Sequence, residues 1–451
     1  MNTTHHAPDL VQPLPAAALD VAAAGRIVRR LLFHLVSFET VFVLYLLAGH
    51  YKAHPLLAPL FPIDPRLLFM VLSVGAGSVV VWRQGIYRPA LYPCLLFFLF
   101  AGWAALSLSW SPGRSYASTK LMEIAILNSV SLVGGAMIIA NRRVRVYRFL
   151  VFLLLFALFF AVDTITTTGG LGHRGFLQDR GSYLNTARSI AWGAIICFVG
   201  IVHARPFRAT WLVAAGLFVL FNYALMIVGA RSPLLFMAIV LLLPTLLAFG
   251  FRGHRLEMHR GQIWVAAIFL AAVLALNYIL VFGGGSWTLT RMQTLFGALT
   301  SDGGARDGSA SARLDYWDHT IRYWAAAPIF GRGLGSFPIL YLGIDIRSYS
   351  HNLVLETLME LGIIGLALLL LSLAPVLWTL SARRLRREPV LLCLLMLFLH
   401  SLMFSMVSVD LGGLGPLLAV LGMLLVRPPE AELAFVHGGL PPPAWAVLDA
   451  R

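Results

Sequence analysis

Apolar stretches alternate with short polar connections along almost the whole chain, and most are roughly 17 to 25 residues long, the length at which a helix crosses a bilayer core. Twelve are legible, at 31–49, 66–82, 90–109, 118–140, 145–165, 187–203, 209–228, 232–250, 262–282, 352–379, 389–407 and 411–426. In hydrocarbon every backbone N–H and C=O must find a partner within the protein, so segments of this kind must be helices. The pattern therefore predicts an all-α integral membrane protein with about 12 transmembrane helices. The polytopic region occupies 26–426. Tails at 1–25 and 427–451 are rich in Ala, Pro and polar residues and are expected to be disordered cytoplasmic ends. The first run has no obvious small-residue cleavage site behind it and reads as a retained span.

One connection departs from the pattern. Residues 283–350 are far longer than an ordinary inter-helix link, and long loops tend to carry function. They contain the flexible stretch "TSDGGARDGSASA" and then "RLDYWDHTIRYWAAAP", where Leu314, Trp317, Ile321 and Trp324 recur at helical spacing. This predicts an amphipathic helix with Asp318 four residues before Arg322 on its polar side. Such a helix suits the membrane surface, or equally the tops of the spans. "GRGLGS", residues 331–336, has no strand before it and reads as a turn rather than a nucleotide loop.

Composition excludes a soluble domain: 59% of residues are hydrophobic and 12% charged. A net charge of +14 raises the question of nucleic acid, but the cations are scattered over short connections rather than gathered into a polar domain, so no nucleic-acid partner is expected. The charge speaks instead of topology. With the N-terminus inside, the clusters at 26–30, 83–88, 142–148, 205–208, 252–260 and 383–387 all face the cytoplasm, as the positive-inside preference requires. Both termini are then cytoplasmic and 283–350 is external. Cys94, Cys197 and Cys393 lie within spans without C-x-x-C spacing, and Asp302 and Asp307 lack the spacing of an EF-hand. Neither disulfide, metal site nor cofactor is expected.

The candidate chemistry lies on the external side. His351 stands at the lip of the tenth span, where an imidazole can take a proton at neutral pH; such a histidine is more often a cap or packing residue. Asn352, Glu356 and Glu360 follow at four-residue spacing on nearly one helix face. Carboxylates so deep should face the bundle interior, a cavity or a cation, and they read as support behind the site. Arg231 sits in a tight external turn, where a planar fork of donors suits phosphate oxygens or lipid headgroups. Arg174, Arg180, Arg188 and Arg313 are further external cations, Arg188 and Arg313 being at predicted helix starts.

These pieces resemble a known family. His351-Asn352, nine residues, Gly362, two residues and Gly365 match the H-N-x9-G-x-x-G pattern of the bacterial O-antigen ligases, and Arg231-Ser-Pro-Leu-Leu235 resembles their R-x3-L motif. The long external loop and "ARLDYWDH...PIFGRGLGSF" are similar to the same ligase and polymerase superfamily. The resemblance implies a GT-C-like, metal-independent, inverting glycosyltransferase on the periplasmic side of a Gram-negative inner membrane. Its donor would be O-antigen on undecaprenyl diphosphate, and its acceptor a hydroxyl of the lipid A core oligosaccharide. His351 would be the general base; Arg231, Arg313 and Arg188 would hold the diphosphate, with Arg174, Arg180 and Asn352 as further substrate contacts. Glu356 and Glu360 would stand behind them. An O-antigen polymerase or a ligase that glycosylates protein is the nearest alternative. A transporter of lipid-linked sugars is less favoured because the spans carry few polar groups at the midplane.

Overall fold

The computed structural model describes residues 37–51, 63–167, 183–204, 207–252, 255–258, 271, 308–377 and 379–428. The expected span at 262–282 (residue 271 excepted), residues 283–307, Arg174, Arg180, the N-terminal tail and residues 429–451 lie outside them. The described chain is helical apart from one hairpin, in which Phe249–Arg252 pairs antiparallel with Arg255–Met258.

Eight of the described helices are long and apolar enough to cross a membrane: α3 (Pro65–Gln84), α4 (Arg88–Ser109), α5 (Ser115–Ile139), α6 (Arg143–Thr167), α7 (Tyr183–His203), α8 (Ala209–Val228), α12 (Leu353–Leu377, apolar over Leu353–Ala374) and α14 (Pro389–Ser408). The twelve expected from the pattern are not reached among the described residues. Three runs are shorter than a full span. α9 (Arg231–Ala248) is apolar over Arg231–Pro244, and Pro244 lies inside it. The first run forms α1 (Phe38–Leu46) and α2 (Ala48–Tyr51), and the last forms a short turn followed by α15 (Gly415–Met423). The shorter elements α10 (Gly308–Ala325), α11 (Phe337–Leu342) and α13 (Ala382–Arg387) complete the set.

The first and last runs nevertheless traverse the bundle. Asp410 meets Tyr116 at one end of α5, while the Arg427 N–H reaches the Ala140 carbonyl at the other. Glu39 binds Arg145 at the start of α6, and His50 meets Ser189 at the start of α7. Two sets of ends result. One gathers residues 107–116, 334–351 and 408–413; the other joins Arg143, Arg384, Glu388 and Arg427. The second set belongs to connections expected to be cytoplasmic. Small residues allow the central contact: a Cβ on Gly135 would come within 2.1 Å of the Ala419 carbonyl oxygen, so α5 and α15 touch backbone to backbone.

The helix after the candidate histidine is not continuous. Gly362 has φ 68 and ψ −169, which splits α12 into two half-helices. Such a break exposes carbonyls above and N–H groups below, and "PIFGRGLGS" satisfies both. Arg332 and Gly333 donate to the carbonyls of Met359 and Glu360 at 2.7 and 2.9 Å, and Trp103 Nε1 donates to that of Leu361 at 2.9 Å. The N–H groups of Ile363 and Ile364 donate to the Pro328 and Ile329 carbonyls. The sequence reading of 331–336 as a turn is thus incomplete: it is a plug, and a Cβ on Gly362 would lie 2.1 Å from the Ile329 carbonyl oxygen.

α10 carries the expected Asp318–Arg322 pair at 2.6 Å. Its packed side is Tyr316, Thr320 and Tyr323, whereas Leu314 and Ile321 are exposed. One face of this helix therefore packs on the bundle, and another leaves an apolar edge exposed.

Candidate active site

His351 adopts φ 56, a left-handed conformation uncommon outside glycine. Flanking contacts hold it there. Its ring lies 4.2 Å from that of Tyr349 and stacks on Tyr316 at 5.8 Å. Asn352 Oδ1 accepts from the N–H groups of Val354 and Leu355, each at 3.1 Å, capping the half-helix below. Asn352, expected to contact substrate, therefore has its oxygen occupied by a structural task. His351 Nδ1 is buried and has no hydrogen-bond partner. Burial, with the nearby Arg313 cation, pushes the imidazole down to about 4, against the pull of Asp410 and a hydrogen bond to the Val407 backbone. The ring is neutral at pH 7.

The segment leading to His351 is clamped to the turn after α14. Arg347 grips Asp410 with Nε at 3.2 Å and Nη2 at 3.0 Å, and the carboxylate holds the guanidinium above its ordinary range. Asp410 also accepts from the Tyr116 hydroxyl at 3.2 Å and from the Gly413 N–H at 3.0 Å, while Tyr349 donates to the Ser408 carbonyl. Asp345 accepts three N–H groups at the start of α5 and is held below the usual carboxylate range by them.

Beneath lies a fully buried ion cluster. Lys120 Nζ is 2.5 Å from Glu356 Oε1 and 2.7 Å from Glu360 Oε2, with all three side chains at 0% exposure. The Lys120 ammonium also faces the Tyr116 ring at 5.3 Å. Glu356 and Glu360, on the half-helix that follows the histidine, are thus paired with a cation. Lys120 itself was not singled out from sequence. It was legible only as a cation near the end of a span expected to open outward, as Arg231 is.

Arg188 is 6% exposed on α7. Its guanidinium lies over the rings of Phe404 (5.0 Å) and Trp192 (5.8 Å), and Nη2 is 3.0 Å from His50 Nε2. Trp192 donates to His400 Nδ1 at 3.2 Å, and His400 Nε2 reaches the Pro233 carbonyl at 3.1 Å, in the first turn of the helix that Arg231 begins. α14 is therefore a shared wall: Phe404 meets Arg188, Val407 meets His351, and His400 ties the Arg231 turn. Phe404 and Val407 are one turn apart, roughly 4.5 Å of rise. The structure brings Arg188, Arg313 and His351 to one end of this wall, with the Arg231 turn about two turns from Val407 along it. Among the described residues no group of three His, Cys, Asp or Glu is arranged to hold a metal ion.

The described helices form a bundle of membrane length with imidazole and guanidinium groups collected at one set of ends, as a multi-pass membrane protein would. Residues 215–370 match the family model described as O-antigen ligase, and over this stretch the chain is similar to that superfamily of ligases and polymerases. The matched stretch contains Arg231, Arg313, His351, Glu356, Glu360 and the Gly362 break. No curated protein matches the chain.

Proposed function

We propose that this protein transfers O-antigen polysaccharide from undecaprenyl diphosphate to a hydroxyl of the lipid A core oligosaccharide, at the periplasmic face of a Gram-negative inner membrane. The observation that carries the reading is the neutral His351 ring, its Nδ1 without a partner, beside Arg313 and on the same wall as Arg188. In the reaction Nδ1 takes the proton of the acceptor hydroxyl as its oxygen attacks the anomeric carbon. The bond to the diphosphate breaks on the opposite side, so configuration inverts without a covalent intermediate. Arg231, Arg313 and Arg188 offset the charge growing on the departing diphosphate. Because Nδ1 is buried beside the Tyr316 and Tyr349 rings, the arriving acceptor displaces one of them. The Asp410 field favours the imidazolium formed at this moment.

Purified protein in vesicles, given lipid-linked polysaccharide and lipid A core and no ion gradient, is expected to transfer the glycan at an unchanged rate in EDTA. Loss of transfer in EDTA and its recovery with magnesium would contradict the mechanism. Deleting the gene is expected to leave polymer on the lipid carrier; accumulation of single repeat units would identify a polymerase instead.

A further inference from the structure

Arg188 is a buried cation whose counter-charge is missing among the described residues. Its contacts there are neutral: two aromatic rings and the imidazole of His50. Its Nε is buried with no hydrogen-bond partner. A buried guanidinium left unpaired is costly, and both the orphaned N–H and the charge call for an anion from beyond the described residues.

His50 sets where that fork points. Arginine can only donate, so His50 Nε2 must be the accepting nitrogen, and the ring proton sits on Nδ1, 2.5 Å from Ser189 Oγ. The imidazole is 3% exposed and is fixed as one neutral tautomer between α2 and α7. It occupies one edge of the guanidinium without cancelling its charge. A carboxylate there would hold the arginine as firmly and neutralise it. We infer that His50 is a positioning residue for the diphosphate: it braces Arg188 while leaving its positive charge and its Nε–H for a phosphate oxygen. This rests on the proposed function, and the test separates the two.

The probe is undecaprenyl diphosphate, bound to the purified full-length protein, with thermal stability measured in parallel. His50→Glu places a carboxylate against Arg188, so the fold is kept by an ion pair while affinity falls about ten-fold or more. His50→Asn, whose carboxamide can accept from Arg188 and donate to Ser189, keeps affinity within about three-fold. Transfer by His50→Glu falls in kcat as well as in donor affinity, because a neutralised Arg188 no longer offsets the charge on the departing diphosphate, whereas His50→Asn keeps both within about three-fold. If His50→Glu folds and binds like the wild type while Arg188→Ala does not bind, the role of His50 is overturned and the diphosphate reading stands. If Arg188→Ala binds like the wild type, the diphosphate reading falls at this residue and the role of His50 falls with it.

Discussion

At the scale of single residues, the His351 imidazole makes the clearest predictions. Its pKa is lowered in the folded protein, so between about 4 and 6.5 the unfolded chain binds the extra proton and the folded one does not. The contribution of this group to stability is therefore complete above about 6.5 and is lost as pH falls toward 4. Transfer should likewise be insensitive to this ring from neutral pH upward and fail on the acid side. Replacing Arg313 by Gln removes the cation that lowers the pKa, so the acid limb of the rate profile should move to higher pH. A limb that stays in place would show that another group titrates there. His351→Ala should remove transfer by about 100-fold or more while leaving the melting temperature nearly unchanged, measured in the same vesicles. Arg231→Lys should cost about ten-fold or more, because a point charge cannot reproduce a two-pronged grip on phosphate. These positions were legible as charged or basic groups where the bilayer disfavours them. Asp410 and Arg347 were not, since their meaning lies in a contact across 63 residues of sequence.

At the scale of elements, periodicity located nearly every described helix but could not show that α12 is two half-helices. Gly362 looked like part of a motif; its reason is the carbonyl of Ile329 standing where a side chain would be. Gly362→Ala should therefore prevent accumulation of folded protein. Gly343→Ala, also at positive φ but with no atom within 4 Å of the added carbon, should cost only roughly 1–2 kcal/mol. Fluorescence-detected chromatography after heating compares the two directly, and equal loss would mean that backbone conformation rather than crowding dominates. The face of α10 was legible in spacing, though not its use: the aromatic side that packs on His351 is Tyr316 and its neighbours, not the tryptophan stripe.

At the scale of the whole molecule, hydropathy gave the all-helical membrane class, because membrane length and backbone satisfaction leave few alternatives, but eight of the twelve expected spans are of membrane length among the described residues. It could not reveal which spans touch, and so could not pair Lys120 with carboxylates 236 and 240 residues away. Lys120→Met should destabilise the protein by about 3–5 kcal/mol, since it strands two buried carboxylates. Adding Glu356→Gln and Glu360→Gln to the same chain should recover much of that loss. A triple variant no more stable than the single one would show that the cluster is needed for more than charge balance.

The same ion cluster bears on how the protein is made. A segment with two acidic side chains enters lipid reluctantly, each costing on the order of 3 kcal/mol near the middle of a helix. The helix bearing Lys120 emerges from the ribosome long before it. Synthesis thus supplies the counter-charge in advance, and the later segment partitions from the translocon against a partner already waiting rather than into bare hydrocarbon.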